Sequence, residues 1–176
     1  MGKKLIHRRD ALKTLLALLV PAPSLAQGPS VSTLIGTGSA GYSEQQVNDP
    51  YGLVIGPDGN LYFCDLGNQR VRRLDLKSRR TQTVAGNGQR GYSGDGTAAT
   101  DASLNMPHEI QFDSRGNLYI AERDSHVIRK VDAATGDIHT FAGTGTPGFA
   151  GDGGQLHSRN CVSRIASPSS RPGGSC

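Results

Sequence analysis

The chain is written in short apolar runs separated by clusters of Gly, Asp, Asn, Ser and Pro. GLVIG (52–56), LYFCD (61–65), RVRRLD (70–75) and TQTVAG (81–86) follow one another, and EIQFD (109–113), LYIAE (118–122), VIRKVD (127–132) and IHTFAG (138–143) repeat the series. Runs of this length, bounded by turn residues, predict strands rather than helices. LYFCD and LYIAE each open with four apolar residues and no alternation. That pattern predicts a strand covered on both faces.

The two series are copies. Residues 50–76 align on 107–133 at an offset of 57 without a gap. Gly59, Asn60, Leu61 and Tyr62 fall on Gly116, Asn117, Leu118 and Tyr119, Asp65 falls on Glu122, and Arg72 on Arg129. Gly59 and Gly116 supply the positive φ that a tight hairpin needs. A third element recurs as VSTLIGTG at 31, TQTVAGNG at 81 and IHTFAGTG at 138. Four antiparallel strands per unit, one of them buried on both faces, are the pattern of a β-propeller blade. A two-layer sandwich would alternate along every strand, and a solenoid would have a shorter period. The predicted fold is therefore all-β: blades at 50–86 and 107–143, linkers at 87–106 and 144–154, and a lone STLIG strand with its linker in 27–49. Propellers close with about 4–8 blades, so two blades and an orphan N-terminal strand make an incomplete ring.

GNLYFCDLGNQRVRRLD and GNLYIAERDSHVIRKVD resemble the NHL repeat, whose hallmark is Gly-Asn-Leu-Tyr-[IV]-Ala-Asp, a short loop, then Asn-x-[RV]-[IV]-Arg-Lys. TVAGNGQRGYSGDGTAATDASLNMP, with its Gly-Tyr-Ser-Gly-Asp-Gly linker, is similar to bacterial and teneurin-type NHL propellers. The resemblance covers about residues 31–154; Glu109 stands where the family favours Gly, and the linker 36–50 is seven residues shorter than 86–107. It implies a non-catalytic scaffold that recognises a protein or glycan through loops at one mouth of the ring, without a cofactor. It also implies an alternative, a metal-assisted lyase or lactonase-like propeller enzyme; the unfinished ring adds another, a non-functional truncated product.

Charge changes the picture at the two ends. The chain has 19 Lys and Arg against 15 Asp and Glu, but residues 1–26 hold five basic residues and one acid, and the last 22 residues add three Arg and no acid. Residues 27–154 keep 11 basic against 14 acidic residues. A slightly acidic body lacks the electrostatic footprint of a nucleic-acid binder. MGKKLIHRRD, the apolar ALKTLLALLV and Ser24-Leu25-Ala26 read as a cleaved signal peptide, with an uncleaved anchor as the other reading. HRRDALK resembles the twin-arginine export signal, an ordinary secretory signal being the alternative. Either implies a bacterial product in the periplasm or outside the cell, with no membrane attachment after cleavage. The tail 155–176, rich in Ser and Arg, reads as disordered. Three accounts of its abrupt start stand side by side: a frameshift or truncation after Gly154, a short protein that self-assembles to complete the ring, and a stable two-blade monomer.

The candidate chemistry is sparse. Tyr51, His108 and Glu109 precede or open the innermost strands, where a propeller places its channel mouth, and are the candidate ligand-binding residues. His108 is also the candidate metal ligand, yet one His and one Glu fall short of the converging set a metal needs. Asp65–Arg72 and Glu122–Arg129, each seven residues apart across a hairpin, read as structural ion pairs, with catalysis as the weaker reading. Asp95 and Asp152 in the Gly-Asp-Gly loops read as turn residues bonded to their own turns, alongside Gly59, Asn60, Gly116 and Asn117. The competing reading, a cation or phosphate loop, lacks EF-hand or P-loop spacing. His126 and His139 fall on strand positions and read as surface residues, and Cys64 reads as a small buried hydrophobe.

Overall fold

The computed structural model describes residues 28–149. The predicted export segment 1–26, Asp152 and the tail 155–176 lie outside the described residues. The chain divides into two units, Met1–Ser32 and Thr33–Cys176. In the first, the described residues 28–32 form no helix or strand; the second carries the fold.

Two antiparallel sheets of propeller type occupy the second unit. One has the order β1 (Pro50–Ile55), β2 (Leu61–Asp65), β3 (Arg70–Leu74), β4 (Thr81–Ala85). The other contains β5 (Thr97–Ala98), β6 (Pro107–Phe112), β7 (Leu118–Glu122), β8 (Val127–Val131) and β9 (Asp137–Ala142), in the order β5-β9-β8-β7-β6. Each contains a meander of four strands with the pairing expected from the repeat, and in the second sheet β5 adds a fifth strand beside β9. The first and sixth strands begin two residues earlier than GLVIG and EIQFD suggest, and both carry a register shift just after their start. The ring is incomplete across the described residues.

Two expectations need correction. STLIG forms no strand: Gly36 N–H donates instead to Gln45 O of its own linker at 3.0 Å. An extended segment without a ladder neighbour has nothing to fix it as a strand. The linker 87–106 is more than a connector, because β5 lies within it and pairs with β9 at Thr97↔Ile138 and Ala98↔Asp137.

The hairpins explain the Gly-Asn repeat. Gly59 and Gly116 take φ of 74° and 84°, which a side chain disfavours. The asparagine that follows works in both directions. Asn60 Nδ2 donates to Asp58 at 2.9 Å, and Asn60 Oδ1 accepts from Leu76 N–H at 3.1 Å, so the amide joins the first hairpin to the β3–β4 loop. Asn117 does the same between Asp113 at 2.8 Å and Ala133 N–H at 3.0 Å. Burial raises the Asp58 pKa, but bonds from the Asn60 side chain, Arg73 and the Asn60 backbone outweigh it and hold the carboxyl at about 2.

The sheets meet face to face. Cys64 and Val71, with partly buried Val54, Tyr62 and Val84, pack from the first sheet against Ile110, Leu118, Ile120, Val131 and Ile138 of the second. Tyr62 meets Phe112 edge to face, centroids 4.9 Å apart. Ala99, Ala102 and Leu104 of the linker belong to the same buried cluster. Cys64 is fully buried, and desolvation, with Glu109 adding to it, pushes its thiol well up. At the centre the sheets come so close that a Cβ on Gly52 (φ 47°) would lie 2.5 Å from His108 O.

Gly52→Ala therefore combines left-handed strain of about 1–2 kcal/mol with overpacking of about 1–3 kcal/mol. Gly59→Ala, with open space around its Cβ position, meets the strain alone. Urea unfolding of the two variants should rank them in that order. The depressed Asp58 pKa gives a second expectation. Its charged form adds stability above the ordinary value of 3.8, and that part is lost as pH falls toward about 2. Thermal melts between pH 4 and pH 2 should show a shallower decline for Asp58→Asn than for the parent.

Candidate functional site

Two places bring chemistry-bearing side chains together: the linker-to-blade contacts around the buried arginines, and the inner strands where Tyr51, His108 and Glu109 lie.

Arg72 and Arg129 sit mid-strand on β3 and β8, at 3% and 0% exposure. A buried guanidinium must satisfy its donors within the protein. Arg129 Nη1 donates to Glu122 Oε1 at 3.0 Å, and Nη2 donates to Asp95 Oδ1 at 2.7 Å and Ser93 O at 3.1 Å. Arg72 Nη1 donates to Asp65 Oδ2 at 3.1 Å and Gln46 O at 2.7 Å; its Nη2 donates to Ser43 O at 2.6 Å and to Thr81 Oγ1. The acid–arginine pairs are thus in contact in both blades. Each arginine is also held by the linker that precedes its own blade. Asp95 is consequently bonded across to Arg129, where the sequence suggests a bond to its own turn. Partial burial raises its pKa, while the Thr140 hydroxyl and Arg129 lower it, for a net fall. Burial pushes the Glu122 carboxyl up against the opposing pull of Asn105 N–H and Arg129.

An aromatic ring completes each clamp. The Arg72 guanidinium lies 5.2 Å from the Tyr42 ring centroid, and that of Arg129 lies 5.2 Å from Tyr92. The two tyrosine hydroxyls are hydrogen-bonded to Thr83 at 3.0 Å and Thr140 at 2.6 Å. Tyr42, Tyr92, Thr83 and Thr140 are not singled out by the sequence reading. Their signal is present nonetheless, as Gly-Tyr-Ser at 41–43 and again at 91–93.

On the inner strands, Tyr51 and His108 come from neighbouring blades and stack with centroids 4.2 Å apart at 38°. His108 is buried at 4%, whereas Tyr51 remains 44% exposed. The exposed Glu109 carboxylate lies 3.7 Å from His108 Nδ1. The three candidate ligand residues therefore form one group, with His108 beneath and Tyr51 and Glu109 toward solvent. Among the described residues, no cluster of three or more His, Cys, Asp or Glu is placed to hold a metal ion.

The other histidines separate. His139 is exposed on β9. His126 is not on a strand: it occupies the β7–β8 turn at φ 53°, with Nδ1 buried and without a hydrogen-bond partner. A cavity of about 420 Å³ opens on the second blade beside Asp95, Lys130, His139, Thr140 and Phe141. Among the described residues no helix is long and apolar enough to cross a membrane.

No protein-family model matches the chain. It is 28% identical over 123 residues to human NHL repeat-containing protein 2, covering 59% of this chain and 17% of that protein. It is 33% identical over 107 residues to chicken teneurin-1, covering 53% of this chain and 4% of that protein. Among solved structures it resembles a Bacteroides thetaiotaomicron protein of unknown function, with a TM-score of 0.57 and 21% identity over 64% of this chain and 28% of that one. The chain has NHL-repeat relatives and a propeller-type fold, and it spans less than a fifth of either curated relative.

Each clamp holds a buried ion pair between the second and third strands of its blade. Removing one partner of a buried pair costs about 3–5 kcal/mol, so Arg129→Ala and Arg72→Ala should each lose that much in chemical denaturation. Arg90→Ala, which breaks the exposed pair with Asp124, should cost at most about 1 kcal/mol.

Proposed function

We propose that the chain is a non-catalytic binding scaffold, exported across a bacterial inner membrane, that recognises a protein or glycan at the inner-strand group of Tyr51, His108 and Glu109. One observation carries this reading: an exposed aromatic ring and an exposed carboxylate each lie against one buried imidazole, on strands from two different blades. Such a pair offers an apolar face for stacking and an acceptor for hydroxyl or cationic donors. Fixing it on two packed blades lowers the ordering cost of binding. Export is supported by the basic and apolar N-terminal segment with its Arg8-Arg9 pair. The near-neutral, slightly acidic body favours a ligand other than nucleic acid.

The chain has no Trp and five Tyr, so tyrosine fluorescence can follow ligand binding directly. Glycan-array hits and candidate peptides should be titrated into the parent, Tyr51→Ala, Tyr51→Phe and Glu109→Gln. Tyr51→Ala is expected to weaken binding about tenfold or more, a loss of about 1.4 kcal/mol. Tyr51→Phe should retain most of it, and Glu109→Gln should weaken binding of hydroxyl-rich or cationic ligands. Binding that ignores both Tyr51→Ala and Glu109→Gln would remove the site from consideration.

A further inference from the structure

The junction between the two blades has a donor half and an acceptor half, and the molecule shows a second copy of each. In the existing junction the first sheet contributes Tyr62, Cys64, Val71 and Val84, and the second contributes Ile110, Phe112, Leu118 and Ile120. At the offset of 57, the first set corresponds to Tyr119, Ala121, Ile128 and Phe141 on the second sheet. Directly opposed strand residues share a face: Ala121 lies opposite Ile128, and Tyr119, two residues before Ala121, shares that side. The Phe141 ring meets Tyr119 edge to face at 4.9 Å, so these four lie on the side of the sheet opposite Leu118 and Ile120. Cys64 and Val71 are fully buried, whereas Ala121 and Ile128 are only half-buried. In the other direction, Ile110 is 7% exposed, while its counterpart Leu53 is 67% exposed; Ile55, counterpart of Phe112, is 58% exposed.

The backbone at the two edges without a neighbouring blade among the described residues is also set in the joint's conformation. In the existing junction Gln69, at φ 54°, accepts the N–H of Met106, at φ 56°, on Oε1 at 2.8 Å. Their counterparts His126 and Asp49 both have φ 53°. A left-handed backbone is costly at residues other than Gly, yet it is kept on both edges. The His126 Nδ1 without a hydrogen-bond partner sits on one edge, and the Asp49 carboxylate sits on the other.

We propose that the second blade of one molecule docks on the first blade of another, head to tail, repeating the internal junction. The occupant is a second copy of this chain because the copy brings the complementary half of an interface the fold already builds. The face around Ile128 and Phe141 covers Leu53 and Ile55 of the next molecule, and His126 lies opposite Asp49 of that molecule. Glu109 takes the place of Gly52 at the centre, so the joint between copies is wider there than the internal one. A heterologous contact of this kind closes into a ring or grows as a chain. With two blades per copy among the described residues, closure at about 4–8 blades corresponds to about two to four copies. The joint shares Glu109 with the ligand reading above, and the test below reads association alone through Ile55 and Phe141.

Sedimentation velocity and light scattering on the full chain, from about 1 to 200 µM, test it together with two single variants. The parent is expected to rise from one chain to two or more with concentration. Ile55→Lys spoils the first-blade half and Phe141→Lys the second-blade half, and each alone should stay monomeric. An equimolar mixture should form a particle of two chains, one of each variant, because one intact joint remains. Leu53→Lys and Ile128→Lys repeat the scheme at neighbouring positions, with circular dichroism confirming that each variant is folded. A parent that stays monomeric throughout the range overturns the proposal. So does a parent that associates while the mixture of folded variants does not, since that result belongs to a symmetric contact between like faces.

Discussion

A buried guanidinium is the constraint around which each blade is arranged. Arg72 and Arg129 lie on the third strand of their sheets, out of water. Their charge is tolerable only while a carboxylate and several carbonyl or hydroxyl oxygens surround it. The carboxylate comes from the second strand, which fixes the hairpin register. The backbone carbonyls and Asp95 come from the preceding linker, which fixes how the chain enters the blade, and Thr81 on the fourth strand adds one more acceptor for Arg72. One side chain thereby joins local pairing to longer-range order, and the Tyr42 and Tyr92 rings shield it from above.

The packing between blades follows from that local order. Once the linker is pinned on the arginine, Ala99, Ala102 and Leu104 are delivered into the space between the sheets, where they join the apolar cluster. Small residues at two of those three positions let the sheets approach, and Gly52 permits the near contact with His108 O. The same approach stacks Tyr51 on His108. The candidate recognition group is therefore a by-product of blade packing, which accounts for its rigid placement on strands rather than on a long loop.

Much of this was legible in the residues, for physical reasons. Strand identities followed from apolar runs and from Gly-Asn turns whose glycines do adopt positive φ. The carboxylate–arginine contacts followed from hairpin geometry. What escaped was contact over long sequence separation. The Asp95 to Arg129 bond spans 34 residues, and a single chain carries no local sign of it beyond the repeated Gly-Tyr-Ser. STLIG departs from expectation for a related cause: its composition matches a strand, but strand character depends on a partner that composition does not reveal. His126 reads as a strand residue from sequence because its neighbours Val127 to Val131 form one. The left-handed turn that precedes that strand has no residue signature comparable to glycine.

The two hairpins hold their asparagines with carboxylates from different positions, Asp58 inside one turn and Asp113 at the end of the other strand. The arginine clamps likewise tolerate a change of acid, Asp65 in one blade and Glu122 in the next. The conserved quantity is a charge at a point in space. The clamps also show where a repeat begins as a physical object. Its contacts start near Gly-Tyr-Ser and end with the outer strand, so linker and following blade form one inheritable module. A gene duplication, or a chimera, cut at the visible start of β1 would separate Arg72 from Ser43 O and Gln46 O. A cut after the outer strand would transmit the charge with its counter-charges intact.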